Sequence, residues 1–116
     1  MTSAPIPEGI RKFLDAYIPS VEQLEVLLLL LENPTQEWRA NDVSRTLYRH
    51  PESAGRRLDA LVRHGLVTKT DGSERRYRYD PATRMLDQTV RQLARSYNER
   101  RVTIITLIYS KPLQNN

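Results

Sequence analysis

Apolar residues fall at helical spacing along most of this chain and alternate with polar ones in one short stretch. Ile10, Phe13, Leu14 and Tyr17 follow i, i+3, i+4, i+7 and predict a helix from about Pro7 to Tyr17, stopped by Pro19. Ser20, Val21, Glu22 and Gln23 then read as a capping box, in which Ser20 accepts from the Gln23 amide and Gln23 reaches back. A second helix is expected to run to about Glu32, because Pro34 disfavours helical geometry at Asn33. Val26 to Leu31 is apolar all the way round, so this helix must be covered on several sides. In a chain this short, a second chain is expected to supply part of that cover.

Glu37, Trp38 and Arg39 form a short extended piece, with Trp38 packing the base of a later hairpin. Asn41 is expected to cap a helix from Asp42 to about Tyr48 with Val43 and Leu47 inward. After a turn at Tyr48, Arg49 and His50, Pro51 suits the first position of a helix that runs to His64. Gly65 ends it in left-handed geometry. Leu66 to Thr70 and Arg75 to Tyr79 predict two strands joined at Asp71 to Glu74, where Asp-Gly takes positive φ readily. The period of two puts Tyr77 and Tyr79 on the core face and Arg76 and Arg78 on the other. Asp80 and Pro81 open a long helix. Leu86, Val90, Leu93, Tyr97, Arg100, Ile104 and Leu107 alternate steps of four and three, the seam of a coiled coil. To Tyr109 that helix would span roughly 45 Å, more than so small a domain covers alone. Val102 to Tyr109 is rich in β-branched residues, which also suits a strand; helix is expected because no turn signal interrupts it.

With 116 residues the expectation is one domain. It divides into an N-terminal helix (7–19), a core (20–80), a long C-terminal helix (81–109) and a disordered tail (110–116), with residues 1–5 frayed. The net charge of +4 is small, but it is unevenly placed. Residues 1–38 carry −4, residues 39–78 carry +5 and residues 79–116 carry +3. An anionic partner is therefore drawn to the middle third. There is no cysteine and only His50 and His64, at a turn and a helix end, so no metal or cofactor is expected. The apolar run at Val26 to Leu31 is far short of a membrane span, and the first residues lack signal-peptide character. The expected location is the cytoplasm.

The stretch EWRANDVSRTLYRHPESAGRRLDALVRHGLVTKTDGSERRYRYDP, residues 37–81, resembles a winged helix-turn-helix domain. LDALVRHGLV followed by a basic hairpin with aromatic residues looks like the recognition-helix end and wing of MarR-like and ArsR-like regulators. The resemblance implies a mainly α fold with a small β-hairpin, and flanking helices similar in kind to those families' dimerisation helices. It implies a homodimeric transcription regulator whose third core helix enters the major groove of double-stranded DNA.

On that helix Ala54, Leu58 and Leu61 point inward. Glu52, Arg56, Asp59, Ala60 and Arg63 face outward, flanked by Ser53 and Arg57. Arg56 suits a guanine edge or a phosphate, Ser53 a phosphate, and Arg57 a flanking contact. Glu52 with Arg56, and Asp59 with Arg63, are also spaced to neutralise one another as i, i+4 pairs. The hairpin is the sharper signal. Lys69, Arg75, Arg76 and Arg78 share one ribbon suited to phosphates or the minor groove, with Asp71 and Glu74 confined to its turn. Asn41, Ser44, Arg45 and Arg49 are candidate backbone anchors. Leu86, Val90, Leu93, Tyr97, Ile104 and Leu107 are the candidate dimer contacts. No nucleophile, acid and base come together in the sequence, so an enzyme is not expected. The alternative is a winged-helix module that binds another protein in a transcription-related assembly. A small-molecule effector between the long helix and the core fits either reading.

Overall fold

The computed structural model describes residues 5–110. The expected fray and tail fall at 1–4 and 111–116, outside the described residues, apart from exposed Pro5 and Ser110. Helix α1 (Glu8–Tyr17) buries Ile10, Phe13 and Leu14. Helix α2 (Val21–Glu32) starts as expected, with the Ser20 hydroxyl accepting from the Gln23 amide at 3.1 Å. The return half of the capping box does not form. The Gln23 side chain is buried, and its amide donates to the Tyr17 carbonyl at 2.7 Å. That carbonyl belongs to the last turn of α1 and lacks a helical partner. Gln23 thereby stitches one helix to the next. Leu24, Val26, Leu27, Leu28 and Leu30 are buried on several sides of α2, and the cover comes from this chain itself.

Helix α3 (Ala40–Leu47) begins at Arg39, not at Asn41 as expected. Asp42 is the reason: its carboxylate accepts from the Arg39 backbone N–H at 3.1 Å. Tyr48 closes α3 in left-handed geometry, φ 56°, and stands almost wholly exposed. Helix α4 (Pro51–Arg63) has Pro51 at its first position, and His50 Nδ1 accepts from the Glu52 amide at 3.2 Å. Its end is a Schellman motif. Leu66 N–H donates to the Leu61 carbonyl and Gly65 N–H to that of Val62, both at 3.0 Å, with Gly65 at φ 76°.

Strands β1 (Val67–Lys69) and β2 (Tyr77–Tyr79) pair antiparallel, Val67 opposite Tyr79 and Lys69 opposite Tyr77. They are shorter than predicted, although Thr70 N–H still donates to the Arg76 carbonyl at 2.9 Å. Trp38 exchanges two backbone hydrogen bonds with Tyr77, at 2.8 and 2.7 Å, and so adds a third, one-residue strand to the hairpin. Trp38, Tyr77 and Tyr79 are all buried, as expected of the hairpin base.

The long C-terminal helix is two helices. Helix α5 (Arg84–Glu99) starts later than Pro81, because the Thr83 hydroxyl caps it by accepting from the Leu86 amide at 3.1 Å. It ends at Arg100, whose φ −138° and ψ 56° are not helical, and α6 (Arg101–Tyr109) follows. Residues 102–109 are thus helical, not strand. The turn lets α6 lie against α1 as well as α5. An apolar helix needs more than one packing partner. The coiled-coil seam is corrected accordingly. Val90, Leu93 and Ile104 are completely buried within this chain, and Leu86, Tyr97 and Leu107 are half-buried against the same core. One hydrophobic core runs from Ile6 to Ile108.

Candidate nucleic-acid interface

Helix α4 is fixed by Ala54, Leu58 and Leu61, all fully buried, and packs on α2 and α3. Arg56 and Arg63 are thereby turned to solvent. The expected neutralising pairs do not form. Asp59 is taken from across the fold: the Tyr77 hydroxyl donates to it at 2.8 Å and Lys69 Nζ lies at 3.9 Å. Glu52 makes no ion pair among the described residues. Arg56 and Arg63 therefore have no acid partner among the described residues. Ala60, expected on the outer face, is buried.

Two candidates on the flank of α4 are occupied. Glu22 of α2 accepts from the Ser53 hydroxyl at 2.7 Å and from Arg57 Nε at 3.3 Å. Glu22 is largely enclosed, so withdrawing Arg57 toward a phosphate would strand a carboxylate in the protein. Sequence spacing gave no sign of this, since Glu22 lies far upstream. Ser44 is buried and its hydroxyl donates to the Arg49 carbonyl. It serves the end of α3 and presents nothing to a ligand. Arg49 is held by Glu25 at 2.7 Å, and Arg45 by Asp42 at 2.7 Å, yet the Arg45 side chain is mostly exposed. Asn41 is exposed.

The hairpin presents its cations outward. Residues 71–76 and Arg78 are exposed, while Tyr77 and Tyr79 point in. Among the described residues Arg75 has no carboxylate partner; Arg76 pairs with Glu74 at 2.9 Å and Arg78 approaches Asp80 at 3.9 Å. Exposed pairs of this kind are weak, because water and salt screen them. The sequence reading missed Arg39, which sits between α3 and the hairpin and donates to Glu74 at 2.8 Å and to Asp42 at 3.2 Å. Both contacts hold its guanidinium charged, Glu74 more than Asp42. In turn Arg39, then Arg76, hold the Glu74 carboxyl below the usual carboxylate range. Burial, and then hydrogen bonds to Asp59 and Asp87 respectively, push the Tyr77 and Tyr79 hydroxyls up, so both remain donors. Among the described residues no cluster of His, Asp and Glu is placed to hold a metal, and no helix is long and apolar enough to cross a membrane.

The fold and this surface define a winged helix-turn-helix protein. No protein-family model matches the chain, and no curated protein does. Solved structures do. A point mutant of the Staphylococcus aureus regulator MepR, bound to an oligodeoxyribonucleotide, is similar at TM-score 0.60 with 17% identity, over 84% of this chain and 71% of that one. A MarR family protein from Bacillus stearothermophilus gives 0.56 with 18% identity, over 83% and 66%. A MarR family transcriptional regulator from Silicibacter pomeroyi gives 0.54 with 20% identity, over 85% and 74%. At these identities the likeness is one of fold: this chain has the winged-helix fold of MarR-family regulators.

Proposed function

We propose that this chain is a sequence-specific, double-stranded DNA-binding transcription regulator that acts as a cytoplasmic homodimer and is not an enzyme. The observation that carries the reading is the outer face of α4, where Arg56 and Arg63 stand exposed without acid partners beside a hairpin whose cations also face out. In such a fold α4 lies in the major groove, with Arg56 reaching guanine O6 and N7. The hairpin, through Lys69, Arg75, Arg76 and Arg78, follows the phosphates or enters the minor groove. Arg45, in the last turn of α3, adds a backbone contact. Ser53 and Arg57 support α4 through Glu22 and contribute less directly.

The homodimer is assigned chiefly to α6. That helix is apolar on every side, and Val102 and Tyr109 remain about three-quarters exposed after α1 and α5 have covered the rest. Leu86, Tyr97 and Leu107 are half-buried against the core and keep part of their surface for a second copy. A small-molecule effector is assigned to the cavity of about 460 Å³ between α2 and the α5–α6 pair. There Arg101, 5.0 Å above the Tyr97 ring, offers a cation to an anionic group.

Duplex-DNA titrations at two or more salt concentrations test the reading. Affinity should fall steeply with salt, because each phosphate neutralised adds about 0.9 to the logarithmic slope. Replacing Arg75, Arg76 and Arg78 together by Ala should weaken binding to all sequences, whereas Arg56→Ala should relax preference at one base step. Binding that is absent, or indifferent to salt, would sink the DNA reading in favour of a protein-interaction module.

A further inference from the structure

Glu74, in the hairpin turn, is gripped by two arginines that come from different parts of the chain. Arg39 Nη1 donates to its Oε1 at 2.8 Å, and Arg76 Nη2 to its Oε2 at 2.9 Å. Arg39 is oriented from its other edge by Asp42, with Nε to Oδ2 at 3.2 Å and Nη2 to Oδ1 at 3.4 Å. Asp42 is in turn held by Arg45 at 2.7 Å. One planar anion thus spans two guanidinium groups, an oxygen to each. The two non-bridging oxygens of a phosphodiester offer the same arrangement of acceptors.

We propose that Arg39 and Arg76 form a DNA-phosphate site which the chain's own Glu74 carboxylate fills in the free protein. The inference rests on the duplex-DNA reading above and adds Arg39, which that reading does not use. Three observations carry it. The fork lies at the start of α3, the first helix of the helix-turn-helix, which crosses the DNA backbone in proteins of this fold. Its three members are close to half exposed, so a polyanion has access. Residues 71–76 bury no side chain, so Glu74 can withdraw without opening the core.

The test compares wild type, Glu74→Gln, Asp71→Asn and the double variant Glu74→Gln with Arg39→Ala, each titrated with a duplex of random sequence over a range of salt. Among the described residues Asp71 makes no ion pair, so its variant removes the same charge from the same turn without emptying the fork. Glu74→Gln should tighten binding roughly tenfold at low salt, because the site no longer has to be vacated, and keep a logarithmic salt slope near that of wild type, since the phosphate enters the site in both. Asp71→Asn should gain less, and adding Arg39→Ala should cancel the gain of Glu74→Gln. Equal behaviour of Glu74→Gln and Asp71→Asn would overturn the site while leaving DNA binding intact. No binding by any variant would instead overturn the DNA reading and this site with it. Without DNA, NMR of the Arg76 guanidinium should show restricted rotation in wild type and free rotation in Glu74→Gln. Free rotation in wild type would overturn the fork whatever the DNA result.

Discussion

His64 ends α4 with its ring centroid 4.8 Å from that of Tyr17, which in turn meets Phe13 edge-on at 5.0 Å. Burial first, and Arg63 second, lower its pKa from the ordinary histidine value. The folded protein therefore favours the neutral ring, and the unfolded chain takes up the proton first as pH falls. His64 should leave stability unchanged well above pH 6.5 and reduce it below. An NMR titration should give it a midpoint under the ordinary value, and His64→Gln should lose less melting temperature than wild type between pH 7 and pH 5. The carboxyls of Asp42, Glu74 and Asp87 are also lowered, through hydrogen bonds led by Arg39 for the first two and by Tyr79 for Asp87. Their contribution is whole above the carboxylate range and is lost only at more acidic pH, so the two effects separate. At this scale the sequence was least legible. Spacing along one helix suggested that Asp59 neutralises Arg63, but the Tyr77 hydroxyl and Lys69 reach Asp59 from the hairpin. Spacing also left Ser53 and Arg57 free, while Glu22 closes on both from a different helix. Partners brought in by tertiary packing leave no trace in local spacing.

Elements were legible wherever a local rule acts alone. Gly65 is the clearest case, for its φ of 76° is a backbone state that L side chains rarely adopt. An added Cβ there would also meet Ala82 Cβ at 3.4 Å. Gly65→Ala should cost roughly 1–2 kcal/mol, visible as a melting temperature several degrees lower. No loss would mean that the Schellman end of α4 is not needed. The same kind of reasoning found the Ser20 cap, the Pro51 start and the alternation of Tyr77 and Tyr79. It failed at Arg100 for a definite reason. The steps of four and three from Leu93 through Tyr97 to Ile104 run straight across the break, and neither Pro nor Gly marks it. Arg100 N–H still donates to the Ser96 carbonyl at 2.7 Å, and Ile104 N–H to that of Arg100 at 3.1 Å. Hydrogen bonding is thus nearly continuous while the axis turns. Asn41 failed differently: two side chains at neighbouring positions can each cap a helix, and the one with a full negative charge, Asp42, prevails.

For the whole molecule, the partition of charge was legible and the partition of apolar surface was not. The sequence assigned Val90, Leu93 and Ile104 to a partner chain, but the chain folds over all three. On α6 the uncovered apolar residues are Val102 and Tyr109, while Tyr48 and Met85 are exposed elsewhere. Val102 and Ile104 should respond in opposite ways to a buried charge. Val102→Asp should leave the fold intact and shift the protein from dimer to monomer in sedimentation equilibrium. Ile104→Asp should unfold it, because an unpaired carboxylate would sit in the core. A wild-type chain that sediments as a monomer at micromolar concentration would remove the dimer.

The exchange of hydrogen bonds between Trp38 and Tyr77 has a consequence for how the molecule comes apart. The two residues are the ends of one closed loop that contains α3, α4 and β1. Closing a loop of this length costs roughly 3 kcal/mol of chain entropy, recovered only when everything inside it packs together. Helix-turn-helix and hairpin therefore form one cooperative unit, opening and closing together. Arg56, Arg63, Lys69, Arg75 and Arg76 all lie inside that loop, so local unfolding removes the candidate reading surface as a whole. A partly opened chain does not keep α4 in place without the hairpin.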